Sequence, residues 1–410
     1  MRNSPRKSVL ACGTISLLAC CRALAQSDLP VIAAPGPAKT PAIALLDPAD
    51  VPQWQAWTKD LGWKVIAPPP SAAPPPSGSI DARIQALDAA VDDAIRNAGV
   101  DPGRIYLAGR GEASALVFYT VSRIPDRWAA ALALGGSPEP AVNTGRVFAA
   151  NFTNVPVLWV GAGPADADLA AKLKKAGVNL EWRAAAGIAN AEILQWLLRH
   201  RLDEFPASID CETNSPTFGR CYWIRMSRLD PAERNEVLPP TVVSFGSGAS
   251  LDLGNFGFKP DDPGPGLLVS FLGEKYSGPL KMGDRIVELE GKPIEDARQY
   301  VETMSRKVED RHVVVMVQRG KDRIRLETTI VVPRRDAAIT ARVQASRNAE
   351  TRQIEIVSRM VTEMRVTLPP DWVPGFLDWN GLSMDEIKNP GCVLLTVEKE
   401  LLRSAPCDGN

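Results

Sequence analysis

Histidine is nearly missing from this chain: His200 and His312 are the only two in 410 residues. Neither stands at ligand spacing from a cysteine, so no metal site is expected, and no cofactor either. An excess of one charge is missing too, because 47 Lys+Arg balance 48 Asp+Glu. With both signs scattered there is no basic stripe to follow a phosphate backbone or hold an anionic membrane, which excludes nucleic acid as a partner. Beyond the N-terminus no apolar run approaches the ~20 residues that a membrane-spanning helix needs.

What is present begins with a 45% apolar content, enough for packed cores, over a length that suits two or three domains. Arg2, Arg6 and Lys7 precede an apolar stretch over 9–21, then Ala23-Leu24-Ala25 ahead of Gln26. That pattern is a secretory signal peptide cut after Ala25. Leu17-Leu18-Ala19-Cys20 also has the form of a bacterial lipobox, in which an acylated Cys20 would tie the protein to a membrane. Both readings stay open, and they place the protein in the periplasm or outside, or on a membrane through Cys20. Export leaves Cys211, Cys221, Cys392 and Cys407, four thiols in an oxidising compartment. Of the three pairings, Cys211 with Cys221 and Cys392 with Cys407 close short loops that stabilise by about 2–3 kcal/mol each.

Residues 26–40, rich in Pro, Ala and Gly, read as a flexible leader. Strand signals at 43–46, 63–67, 104–108, 129–134, 155–160 and 180–183 alternate with helical periods at 54–61, 80–98, 168–176 and 191–202. Val100-Asp101-Pro102 ends the second helix, and the proline triplets of 68–78 make a surface loop. This alternation predicts a doubly wound, mostly parallel α/β sheet over 41–206. Past Pro206 helices nearly stop. Strand-like segments at 222–226, 339–345, 353–357, 362–368 and 393–398 form a small β-domain from 207–250 and 336–410. A compact unit over 251–335 is inserted in it, since 222–226 has no other sheet to join.

The stretch Val100-Asp101-Pro102-Gly103-Arg104-Ile105-Tyr106-Leu107-Ala108-Gly109, with Ile124-Pro125-Asp126-Arg127-Trp128-Ala129-Ala130, resembles bacterial α/β-hydrolases of the polyhydroxybutyrate-depolymerase and feruloyl-esterase type. The resemblance implies a sharp strand-to-helix turn, G-x-S-x-G, that lifts a serine clear of the sheet. Here the turn reads Gly109-Arg110-Gly111-Glu112-Ala113, and glycine has no nucleophilic atom. Where the family has its histidine this chain has Ala186-Gly187-Ile188-Ala189-Asn190, and Asp47-Pro48 replaces the oxyanion loop. A proline cannot donate an N–H, and a carboxylate would repel an oxyanion. His200 falls at the end of the last helix, where it complements the dipole. Asp166 survives as a candidate acid, and Ser114 is the alternative nucleophile.

Over 265–332 the chain resembles the PDZ domains of periplasmic high-temperature-requirement-type proteases. Pro265-Gly266-Leu267-Leu268-Val269 matches their carboxylate-binding loop and strand, Gly278-Pro279-Leu280-Lys281-Met282-Gly283-Asp284 their core turn, and Glu290-Gly291-Lys292-Pro293-Ile294 their hairpin. The resemblance implies strand addition of a protein or peptide ligand between 267–271 and a helix over 296–304. Gly266, Leu267, Leu268, Val269, Phe271, Tyr300 and Met304 are then the peptide-binding residues. The rival state is a groove filled by the neighbouring domain. The expected function is an exported, non-catalytic pseudo-hydrolase that grips a peptide. The alternatives are a serine hydrolase using Ser114, and a polymer binder stacking sugar rings on Trp63 and Trp128.

Overall fold

Short apolar runs separated by helices become six parallel strands: β1 (Thr40–Leu45), β2 (Lys64–Ile66), β3 (Val100–Arg110), β4 (Ala130–Leu134), β5 (Val157–Gly161) and β6 (Leu180–Ala184), in the order β2-β1-β3-β4-β5-β6. This computed structural model describes residues 39–68, 80–186, 188–235, 237–244, 248–332, 339–384, 386–398 and 401–407. The signal segment with Cys20, the leader up to residue 38, residues 69–79 of the proline-rich loop and Gly187 lie outside the described residues.

Helices cover both faces of the sheet, which is why its strands read as near-continuous apolar runs. On one face α1 (Val51–Thr58) and α6 (Asn190–Leu198) bring Trp54, Leu194 and Leu197 onto Ile43, Leu45, Tyr106 and Leu132. On the other, α2 (Ile80–Asn97), α3 (Ala113–Arg123) and α5 (Pro164–Lys175) bring Leu87, Val117 and Leu173 onto Ala44, Leu107 and Ala131, and α4 (Glu139–Val142) is a single turn. Ile84, Leu87 and Val91 of α2 recur at three and four and are fully buried. This sheet with its helices resembles the α/β-hydrolase fold. One boundary differs from expectation: Val100-Asp101-Pro102 opens β3 instead of ending α2. The β1–β3 register shifts between Thr40 and Ala42, an irregularity that lets proline into the strand.

Three further sheets follow, antiparallel except where the strands Gln353–Arg359 and Phe376–Trp379 run parallel. The next strands are β7 (Ser208–Thr213), β8 (Arg220–Cys221) and β9 (Ile224–Leu229). The expected strand at 222–226 begins later because Tyr222 sits in a turn at φ 54°. Then come β10 (Ser250–Leu251), β11 (Phe256–Phe258), β12 (Leu267–Leu272), β13 (Arg285–Leu289), β14 (Lys292–Pro293), α7 (Ala297–Ser305), β15 (Arg311–Arg319) and β16 (Asp322–Val331). They make one sheet ordered β10-β16-β15-β13-β12-β11, with β14 paired to β13. Buried Val313, Val315 and Val317 alternate along β15, as a strand with one packed face requires.

Last come β17 (Ala341–Asn348), β18 (Gln353–Arg359), β19 (Val361–Leu368), β20 (Phe376–Trp379), β21 (Leu382–Ser383), β22 (Gly391–Glu398) and β23 (Leu401–Pro406). They join the earlier strands in two sheets, β21-β20-β18-β17-β7 and β23-β22-β19-β9-β8, which share a core of Trp223, Val343, Ile356, Met364 and Trp379. The segment holding β10 to β16 therefore runs between strands of this pair. Disulfides join Cys211 to Cys221, across the two sheets, and Cys392 to Cys407. Two such bonds fit an oxidising compartment. Among the described residues no helix is long and apolar enough to cross a membrane.

Candidate functional site

The turn between β3 and α3, where the resemblance expects a nucleophile, is tightly wound. Gly111 lies at φ +55°, its N–H donates to the Leu134 carbonyl at 2.9 Å, and its carbonyl accepts from Ser114 N at 3.1 Å. Gly136 must be glycine, because a Cβ there would lie 1.9 Å from the Gly111 oxygen. The backbone here is therefore tightly wound, with Gly136 packed against the Gly111 carbonyl. A Cβ on Gly111 would meet nothing within 4 Å, so the position opens onto free space with no group attached to fill it.

Ser114, the alternative nucleophile of the sequence reading, points its hydroxyl into the backbone. It lies in the first turn of α3, fully buried, with its hydroxyl donated to the Leu134 carbonyl at 3.2 Å and within 3.4 Å of the Gly109 carbonyl. Asp166 lies in the first turn of α5, where its Oδ2 accepts from Ala162 N at 2.6 Å and closes its own loop. Asp47 caps a short turn by accepting from Ala49 N, and the following Asp50 lies 3.8 Å from Arg110 of the elbow. Burial raises the Asp50 pKa, partly opposed by Arg110.

No imidazole reaches this place. Leu202 N bonds the Gly103 carbonyl and Arg201 pairs with Asp101, which puts His200 beside the beginning of β3. The elbow is at the other end of that strand, about eight residues or roughly 25 Å away. His200 stands just past the end of α6. Burial, aided by Arg199, lowers its pKa; its Nε2 is buried without a hydrogen-bond partner and its ring meets Trp196 edge-on at 4.5 Å. His312, on β15, meets Thr329 of β16 at 3.1 Å. Trp63 and Trp128 are core residues, Trp63 stacked on Tyr106 at 5.2 Å, so they are closed to a ligand.

The residues expected to grip a peptide are placed differently from the reading of the sequence. Both edges of β12 are occupied, by β11 on one side and β13 on the other, so no strand can add to it. Leu267 and Val269 are core, Leu268 is half-buried, and Phe271 is exposed at the strand's far end. The Gly266 amide, expected to hold a carboxylate, already donates to the Ile294 carbonyl at 2.9 Å. Tyr300 and Met304 are buried on the inner face of α7. Sequence reasoning missed β11. It closes one end of the sheet, its outer edge pairs with no strand among the described residues, and α7 lies beside it, the Phe258 and Tyr300 rings meeting at 5.7 Å. The only signal was the spacing of Phe256 and Phe258 around Gly257.

No family model matches the chain. No curated protein does either. Solved structures do: Arabidopsis thaliana SOBER1, at 18% identity over 40% of this chain and 99% of that one (TM-score 0.28). Esterase PE8 aligns at 19% identity over 40% and 93% (TM-score 0.29). The HtrA-type protease AlgW with decapeptide aligns at 18% over 21% and 30% (TM-score 0.17). At scores of this size the fold is read from the strand order itself.

Proposed function

We infer that this is an exported, non-catalytic protein: an α/β-hydrolase-like scaffold carrying a PDZ-like unit that takes an extended peptide or protein terminus by strand addition. The observation that carries the first half is Gly111 at the apex of the β3–α3 turn, where there is no side chain to act as nucleophile, with His200 placed toward the opposite end of β3. Without nucleophile and base an acyl-transfer barrier stays high. The second half is supported by the open edge of β11 beside α7, which offers backbone N–H and C=O groups to a peptide and an apolar flank to its side chains.

The test is fluorescence polarisation of the mature protein against a library of labelled peptides with free and with amidated C-termini. Saturable binding to the wild type that falls at least ten-fold in Phe258→Asp, while Phe271→Asp binds normally, supports the β11 groove. Equal binding by wild type and Phe258→Asp, or no saturable binding across the library, would remove the peptide-binding reading.

A further inference from the structure

We propose that Glu212 is a latch that fixes the orientation of the inserted β10–β16 unit on the rest of the protein, by holding the incoming and outgoing connections with the two oxygens of one buried carboxylate. The chain passes into that unit after β9 and returns at β17, and both passages cross the same point. Glu212 Oε2 accepts from Thr241 N and from Thr241 Oγ1, each at 2.6 Å, on the incoming side. Its Oε1 accepts from the Thr340 hydroxyl on the outgoing side. Glu212 is 1% exposed, so its carboxylate is shielded from bulk water.

The incoming connection is itself laid along the parallel-sheet region. Val243 N donates to the Val147 carbonyl at 2.8 Å, Ala149 N to the Thr241 carbonyl at 2.9 Å, and Phe148 and Val242 form a β-bridge. Asn151, buried beside them, grips the backbone of Glu212, accepting from its N–H at 2.6 Å and donating to its carbonyl at 2.9 Å. Directly opposite Glu212 in the β7–β17 register, Arg342 makes a fork with Asp210 and donates to the Pro239 carbonyl at 2.7 Å. The parallel-sheet region, the paired sheets and both connections therefore meet at Glu212.

A buried polar crossing of this kind is cooperative, since each donor that leaves exposes a desolvated acceptor and weakens the hold on the others. An apolar hinge would loosen by degrees, whereas this one has two states, closed with every donor in place or open with Thr241 and Thr340 released from Glu212 together. Opening would let the inserted unit turn as a body on its two connections without unfolding any sheet. The proposal does not depend on what that unit binds.

The test uses the full mature chain with a spin-label pair at the exposed Lys172 and Lys321, read by double electron–electron resonance, together with amide hydrogen exchange at Thr241 and Val243. The wild type is expected to give one narrow distance and slow exchange. In Thr241→Val/Thr340→Val, which keeps side-chain shape and removes both hydroxyl donors, the distance broadens or splits. Exchange at Thr241 and Val243 speeds at least ten-fold, as expected for loss of hydrogen bonds to a charged acceptor. A folded double variant with an unchanged narrow distance and unchanged exchange overturns the latch. Should the double variant not fold, Thr340→Val alone decides, by faster exchange at Ala341 with a broadened distance, or by no change in either.

Discussion

Placing a hydroxyl back at the elbow is the sharpest challenge to a non-catalytic scaffold. In Gly111→Ser the new Cβ meets no atom within 4 Å, so there is no steric penalty, only that of holding a non-glycine residue at φ +55°. A left-handed conformation costs about 1–2 kcal/mol, offset by up to about 1 kcal/mol from a less flexible unfolded chain. The variant should fold and melt within about 2–4 °C of wild type, since roughly 1 kcal/mol moves the midpoint of a domain of this size by that much. The serine would stand in the geometry of a nucleophile but stay protonated. His200 lies toward the other end of β3, Asp166 is occupied with Ala162 N, and the carboxylate of Asp50 lies 3.8 Å from Arg110 of the turn. Loss of the base alone costs about as much as loss of the whole catalytic unit, on the order of 10⁶ in rate. Hydrolysis of p-nitrophenyl butyrate should therefore stay within background in wild type and variant alike, with no labelling by a fluorophosphonate probe. Turnover in the wild type abolished by Ser114→Ala, or strong labelling of the variant at position 111, would refute the reasoning, because either requires a base that the geometry does not provide.

Other expectations follow from individual contacts. Gly136→Ala should cost more than 4 kcal/mol and give little folded protein by circular dichroism, because its Cβ would lie 1.9 Å from the Gly111 oxygen at a residue already at φ +62°. Leu267→Asp should not spoil a surface groove but unfold the β10–β16 sheet, since Leu267 is fully buried between β11 and β13; loss of its tryptic protection reads this out. Asp284 is 1% exposed; burial pushes its carboxyl up, but the Arg319 fork and the Lys281 amide outweigh it and hold it below the usual range. Its stabilising share is present above the unfolded value of 3.8 and lost as pH falls through the lower folded one, so Asp284→Asn should cost about 2–3 kcal/mol at pH 7 and flatten the acid limb of the melting curve. His200 has the opposite chemistry with a related sign. Its folded pKa lies below 6.5, so the unfolded chain binds the extra proton and stability drops as pH falls below that value; His200→Gln should reduce the loss in Tm between pH 7.5 and 5.5. Reducing the Cys211–Cys221 bond, which closes a loop of sequence separation 10, should cost about 3 kcal/mol, seen as a lower Tm in dithiothreitol.

What the sequence made legible was whatever a residue reports about its own backbone. The runs that form β3, β4 and β5 are apolar because both faces are covered, and that much is written in Ile105-Tyr106-Leu107-Ala108 itself. Gly111 could be read as an empty elbow because the flanking turn is short and local. Pro102 misled for the opposite reason: it is a helix breaker by its own chemistry, yet a register shift against β1 admits it to a strand.

What stayed hidden depends on segments distant in the chain. Leu267, Val269 and Phe271 alternate as a groove-lining strand would, but whether an edge is free is decided by neighbours. β11, only three residues long, takes the edge of β12 that a ligand would need. Glu212 shows the same limit from the polar side. A glutamate in a strand reads as solvent-facing, since an ionised carboxyl is almost never fully buried without partners. Its partners come from Thr241 and Thr340, 29 and 128 residues along, one on each side of the inserted unit. Burial accordingly raises its pKa, although three donors and the nearby Arg342 oppose the rise. A carboxyl placed at such cost where two connections cross is explained by what it joins, and a residue that joins is invisible until the segments it joins are seen together.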